Sequence, residues 1–148
     1  MKKRILPLLL LLLLLLTSCS FPKKIADIPK ADDVSRIRMT FAVHDPANAR
    51  CKDFTEPEDI RTILYLLSGV DLQYESTGTQ YGGSSCTITC YKWHETEQTF
   101  AFSETFDSYS VWKNEDTVYY TVLSGGAALA EFYENADAVE KYKLPQRS

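Results

Sequence analysis

Cys86-Thr-Ile-Thr-Cys-Tyr-Lys-Trp93, Gln98-Thr-Phe-Ala-Phe-Ser-Glu104, Ser108-Tyr-Ser-Val-Trp-Lys113 and Thr117-Val-Tyr-Tyr-Thr-Val-Leu123 are four runs rich in β-branched and aromatic residues, separated by only three or four residues each. Such residues suit a pleated, half-buried surface. The connectors His94–Glu97, Thr105–Asp107 and Asn114–Asp116 are short enough for hairpins, so the stretch predicts an antiparallel meander. In its first strand Cys86, Ile88 and Cys90 point one way, with Phe100 and Phe102 of the next, while Thr87, Thr89, Tyr91 and Trp93 point the other way.

Upstream, Val34 to His44 alternates Ile37, Met39, Phe41 and Val43 with Arg36, Arg38 and Thr40, the pattern of another half-buried strand. Asp45-Pro46-Ala47-Asn48 breaks it, and a loop is expected to carry Cys51 to Thr55. Thr55-Glu56-Pro57-Glu58 then reads as a helix start, with Thr55 and Glu58 as a reciprocal capping box and Pro57 in the first turn. Ile60, Ile63, Leu64 and Leu67 repeat at the spacing of one buried helical face, and Ser68-Gly69 ends it, glycine being suited to a left-handed residue there. Val70 to Tyr74 reads as a short strand and the polar, glycine-rich Glu75–Ser85 as a long loop. Downstream, Gly125-Gly126 opens a segment from Ala127 to Tyr142 with Leu129, Phe132, Tyr133 and Ala136 at helical spacing. The whole predicts an α+β domain, an antiparallel meander sheet with one face covered by helices.

The start of the chain says where this domain would sit. Lys2, Lys3 and Arg4 precede nine leucines, Leu8 to Leu16, an apolar run too short for the roughly 20 residues of a spanning helix. Leu16-Thr17-Ser18-Cys19 resembles a bacterial lipobox, in which the cysteine sulfur accepts a diacylglyceryl group and becomes the first residue of the mature protein. Residues 1–18 are thus expected to be a lipoprotein signal peptide, 19–33 a lipid-anchored tether containing Pro22 and Pro29, and 34–144 a single domain. Two acyl chains suffice to anchor a protein to a membrane. The expected partner of Cys19 is therefore the membrane, at its extracytoplasmic face.

Three of the 16 Lys and Arg lie ahead of Cys19, leaving 13 against 20 Asp and Glu, a formal charge of −7 for the mature chain. That balance argues against nucleic acid or an anionic membrane surface as the partner, since both demand a basic patch. Of the four cysteines, Cys51, Cys86 and Cys90 remain after Cys19. On one strand Cys86 and Cys90 lie roughly 13 Å apart, too far to bridge. A disulfide, if one forms, joins Cys51 to Cys86 or Cys90; otherwise all three are small buried groups.

Cys86, Cys90 and His94 recur at every fourth residue, yet a strand stretches them beyond the span of one tetrahedral ion, so no metal and no cofactor is expected. No Gly-x-Ser-x-Gly elbow, Ser-x-x-Lys or phosphate loop is present, and Glu56, Glu58 and Asp59 suit a helix N-terminus. A non-enzymatic role follows. What remains is aromatic: Tyr91, Trp93, Trp112 and Tyr119 would form a binding surface if the second face of the sheet is open, although such rings also suit strands on propensity alone. An alternative is a small inhibitor or enzyme working through the 75–85 loop.

The layout of signal, Cys19, short tether, Ile37-x-Met39-x-Phe41 strand, Thr55-x-x-Glu58-x-Ile60 helix and a meander ending Val118-Tyr-Tyr-Thr-Val122 resembles small lipoproteins of Gram-positive Firmicutes, several grouped only as domains of unknown function. The resemblance carries over no catalytic or binding residue. It implies an envelope location and a non-catalytic role, with an envelope protein or cell-wall component as the partner.

Overall fold

A computed structural model describes residues 21–42, 49–77, 85–93, 97–113 and 116–142. These residues form nine strands in one antiparallel sheet: β1 (Lys23–Lys24), β2 (Val34–Ala42), β3 (Arg50–Phe54), β4 (Asp71–Thr77), β5 (Ser85–Lys92), β6 (Gln98–Ser103), β7 (Ser108–Lys113), β8 (Asp116–Ser124) and β9 (Glu140–Tyr142). Their spatial order is β1-β4-β8-β7-β6-β5-β2-β3-β9. Helices α1 (Pro57–Ser68) and α2 (Gly126–Asn135) complete the α+β fold.

The meander lies in the sheet as the alternation requires. Cys86 faces Phe102, Ile88 faces Phe100, and β2 pairs along the other edge of β5, with Ile37 opposite Cys90, Met39 opposite Ile88 and Phe41 opposite Cys86. Facing residues of an antiparallel pair share a side of the sheet. All eight belong to the buried core, together with Ile60, Ile63, Leu64 and Leu67 of α1 and Leu129 and Tyr133 of α2. The two helices therefore cover one face.

The helix ends differ from the sequence reading. Pro57 is the first residue of α1 and Glu56 its N-cap, with no side-chain hydrogen bond to the cap, so the Thr55–Glu58 box does not form. Proline's fixed φ and missing N–H already suit the first turn, which leaves less for a cap to do. Gly69 closes the helix in the right-handed region at φ −79°, its N–H shared among the carbonyls of Tyr65, Leu66 and Leu67. The left-handed glycine is instead Gly125, at φ 88°, where a Cβ would come within 3.0 Å of the Gly69 carbonyl oxygen. It lets the start of α2 lie against the end of α1.

Three segments change type. The expected loop at Cys51 is β3, paired with β2 from Ile37–Phe54 to Phe41–Arg50. Its charged residues hide the strand pattern, because Arg50 and Lys52 lie on the helix side with Phe54. The expected helix from Ala127 to Tyr142 stops at Asn135, and the chain returns as β9 beside β3. The tether expected over 19–33 is docked from Lys23 onward: Lys23 pairs with Leu72, Lys24 with Asp71, and Ile25 is buried. A 3₁₀ turn at Ala31–Asp33 leads into β2. β4 also runs on to Thr77, while residues 78–84 of the expected loop lie outside the described residues.

Candidate functional site

The face of the sheet opposite the helices follows from register. Arg36 lies across from Tyr91, Arg38 across from Thr89, and Thr89 across from Thr99. One row further along, Thr40, Thr87, Ala101, Ser110 and Tyr119 succeed one another across β2, β5, β6, β7 and β8. Short hydroxyl side chains thus occupy much of this face, and the Thr89 and Thr99 hydroxyls stand 3.2 Å apart.

Tyr91 and Tyr119 both belong to this face, but β6 and β7 separate their strands and four residues separate their rows. At strand and residue spacings of about 4.8 and 3.3 Å they are on the order of 20 Å apart. Trp93 lies past the end of β5, where its N–H donates to the Asp33 carbonyl at 3.2 Å, and is 66% exposed. Trp112 occupies β7, and its side chain lies outside the described residues. The four expected aromatics therefore do not make one patch around a common centre. Cys19, His44 and His94 also lie outside the described residues.

At the Tyr91 end the face gains charge. The Arg36 guanidinium carbon sits 3.9 Å from the Tyr91 ring centroid, a stacked cation–π contact. Two residues along β2, Arg38 grips Asp53 of β3 with both ends of its fork, Nε to Oδ1 at 2.7 Å and Nη2 to Oδ2 at 2.8 Å. Lys141 of β9 approaches the same carboxylate at 3.9 Å. The hydrogen bonds from Arg38 outweigh the cost of burial and hold Asp53 below the usual carboxylate range, with the charges of Arg36 and Lys141 adding to the effect. Two arginines and a lysine thus surround one carboxylate.

No family model, curated protein or solved structure matches this chain. The site therefore rests on its own chemistry. Its key residues were only half visible in the sequence. Arg36 and Arg38 alternate along a strand, which marks them as sharing a face, but Asp53 falls in a stretch that reads as a loop and Lys141 in one that reads as a helix. Only the pairing of β3 with β2 and β9 brings these together.

Among the described residues, Cys51, Cys86 and Cys90 are unbridged. Cys51 lies across from Thr40 and Cys86 across from Phe41, so they are on opposite faces of the sheet, and Cys90 shares the face of Cys86. Neither of the two pairings open to Cys51 is made, which leaves the three as small buried groups. Burial pushes the Cys90 thiol up to about 12 and Cys86 further still, opposite to the lowered value an attacking thiolate requires. Among the described residues no three His, Cys, Asp or Glu gather as metal ligands.

Recesses are also present among the described residues. One, of about 570 Å³, adjoins Asp53 and opens between the start of α1 and the end of α2, where Phe54 and Phe132 form the floor and Glu56, Asp59 and Asp137 the rim. Another, of about 270 Å³, lies under the Lys23–Asp27 segment against Phe100, Tyr109 and Tyr120.

Proposed function

We propose that the protein is a lipid-anchored, extracytoplasmic domain of the cell envelope that binds another envelope component rather than catalysing a reaction. The location rests on the Leu16-Thr17-Ser18-Cys19 sequence and on the likeness of the layout to small Gram-positive lipoproteins. The observation that carries the binding role is the sheet face turned away from the helices. It sets Tyr91, stacked under Arg36, among hydroxyl side chains, a combination that stabilises the core little and suits a polar partner.

Feeding labelled palmitate to cells should mark the wild-type protein and not Cys19→Ala; equal labelling would refute the anchor. For the binding role, detergent-solubilised protein should be retained by isolated cell envelopes, and Tyr91→Ala should be retained less while melting at the same temperature. Retention unchanged by that substitution would remove the sheet face as the binding surface.

A further inference from the structure

We infer that the Arg36–Tyr91 end of this face binds an anionic polymer of the cell surface built from polyols joined by phosphodiesters. The inference rests on the envelope reading and narrows its partner to one chemistry. The protein is acidic overall, with a formal charge of −4 for the full chain. Yet on this face Arg38 and Lys141 pair with the carboxylate of Asp53 and Arg36 adds its charge nearby, three cations to that one carboxylate. Complementary local charge steers and orients a partner even where the net charge does not.

The cations are prepared for different tasks. Arg38 has both ends of its fork committed to Asp53 and serves as the floor of the site. Arg36 is held by the Tyr91 ring, a contact that fixes the guanidinium plane and leaves its N–H edge for an oxyanion. Lys141, 64% exposed and 3.9 Å from Asp53, is a loosely held point charge. Arg38 adds its charge about 7 Å along the strand from Arg36, with its fork already taken by Asp53. Beside them Thr89 and Thr99 offer hydroxyls to the polyol. A nucleic acid would instead require open aromatic faces on which bases stack, and here the guanidinium occupies the Tyr91 face.

The test uses the mature protein in mild detergent with fluorescently labelled poly(glycerol phosphate), read by anisotropy, a measurement independent of acylation and of location in the cell. The expected result is saturable binding that weakens with salt, falls about tenfold in Arg36→Gln, partly recovers in Arg36→Lys, and survives Tyr91→Phe better than Tyr91→Ala. Glu131→Gln, on the exposed side of α2, should bind as the wild type does. Equal melting temperatures for the Arg36 variants separate lost binding from lost folding. Absence of binding, tighter binding to poly(U), to polyglutamate or to phosphatidylglycerol vesicles, or indifference to Arg36→Gln at unchanged melting temperature would each overturn the inference.

Discussion

The ammonium of Lys52 donates to the main-chain carbonyl of Tyr133 at 2.6 Å and to that of Ala136 at 3.1 Å. Lys52 is 7% exposed, and its Nζ also lies 4.6 Å from the Tyr133 ring centroid. A buried charge is tolerated only with partners, and here the partners are carbonyls at the C-terminal end of α2, where the helix dipole favours a cation. Around the same point Tyr133 packs on Phe41 and donates its hydroxyl to Glu140, while Arg50 reaches Glu134 and Glu140. The edge strand β9 and its neighbour β3 are thereby fastened to the end of α2.

Lys52→Met keeps most of the buried stem and removes the charge. It should destabilise the protein by about 2–4 kcal/mol, since hydrogen bonds from a charged donor are lost and the carbonyls they satisfied stay buried. Urea unfolding with an unchanged slope and a lower midpoint would show it. A midpoint equal to that of the wild type would mean that solvent satisfies the helix end.

Asp53 gives the stability a pH dependence of known sign. Its folded carboxyl is held below the unfolded value of about 3.9, so the stabilisation is complete above that value and is lost as pH falls through the lower folded value. Asp53→Asn should therefore cost about 1 kcal/mol at pH 7, a modest figure because Arg38 is partly exposed. The gap between the variant and the wild type should narrow as pH falls through the lowered folded value. Thermal melts from pH 7 down through the acid range decide it, and a constant difference would assign the effect to packing.

The thiols should be inert while the protein is folded. Cys51, Cys86 and Cys90 are buried, and the latter two have thiols raised by burial. A thiol-specific chromogenic reagent should react slowly with native protein from which the Cys19 thiol is absent, and with all three after unfolding in urea. The intact mass under non-reducing conditions should show no loss of two hydrogens. Such a loss would require Cys51 to reach a cysteine on the other side of the sheet.

Ile63→Ala should cost on the order of 2–5 kcal/mol, because Ile63 is fully buried between α1 and the sheet. Tyr91→Ala should cost much less, the ring being half-buried and stacked against Arg36. Paired unfolding curves test both, and equal losses would mean that Tyr91 belongs to the core.

That contrast also shows where the fold was legible. Wherever one face is apolar and the other polar, as in Ile60-x-x-Ile63-Leu64-x-x-Leu67 or Cys86-x-Ile88-x-Cys90, the period alone named the buried residues. β3 escaped because Lys52 and Arg50 lie on its helix side, held by helix carbonyls and by Glu134 and Glu140 that are distant in sequence. β9 escaped because Glu140-Lys141-Tyr142 has no apolar stripe and is a strand only through its pairing with β3. The candidate site shares the difficulty. Asp53 and Lys141 meet Arg38 through that same edge of the sheet, so the cluster of charge exists only once β3 and β9 are paired.

The segment before β2 is the last test of what the pairing adds. A free tether would tolerate any side chain, whereas the structure buries Ile25, bonds Lys24 to Asp71 at 2.6 Å and has the Gln98 amide donate to the Asp27 carbonyl. Ile25→Ala should therefore cost about 2–4 kcal/mol as a buried large-to-small change. Phe21→Ala should cost nothing measurable, since Phe21 is 91% exposed. The comparison bears on orientation as well: four residues from Cys19 to Lys23 span at most about 13 Å, so an acyl group on Cys19 would hold the β1–β4 edge of the sheet next to the bilayer. If Ile25→Ala unfolds at the same urea concentration as the wild type, the segment is a tether after all, and the edge is free to swing away from the membrane.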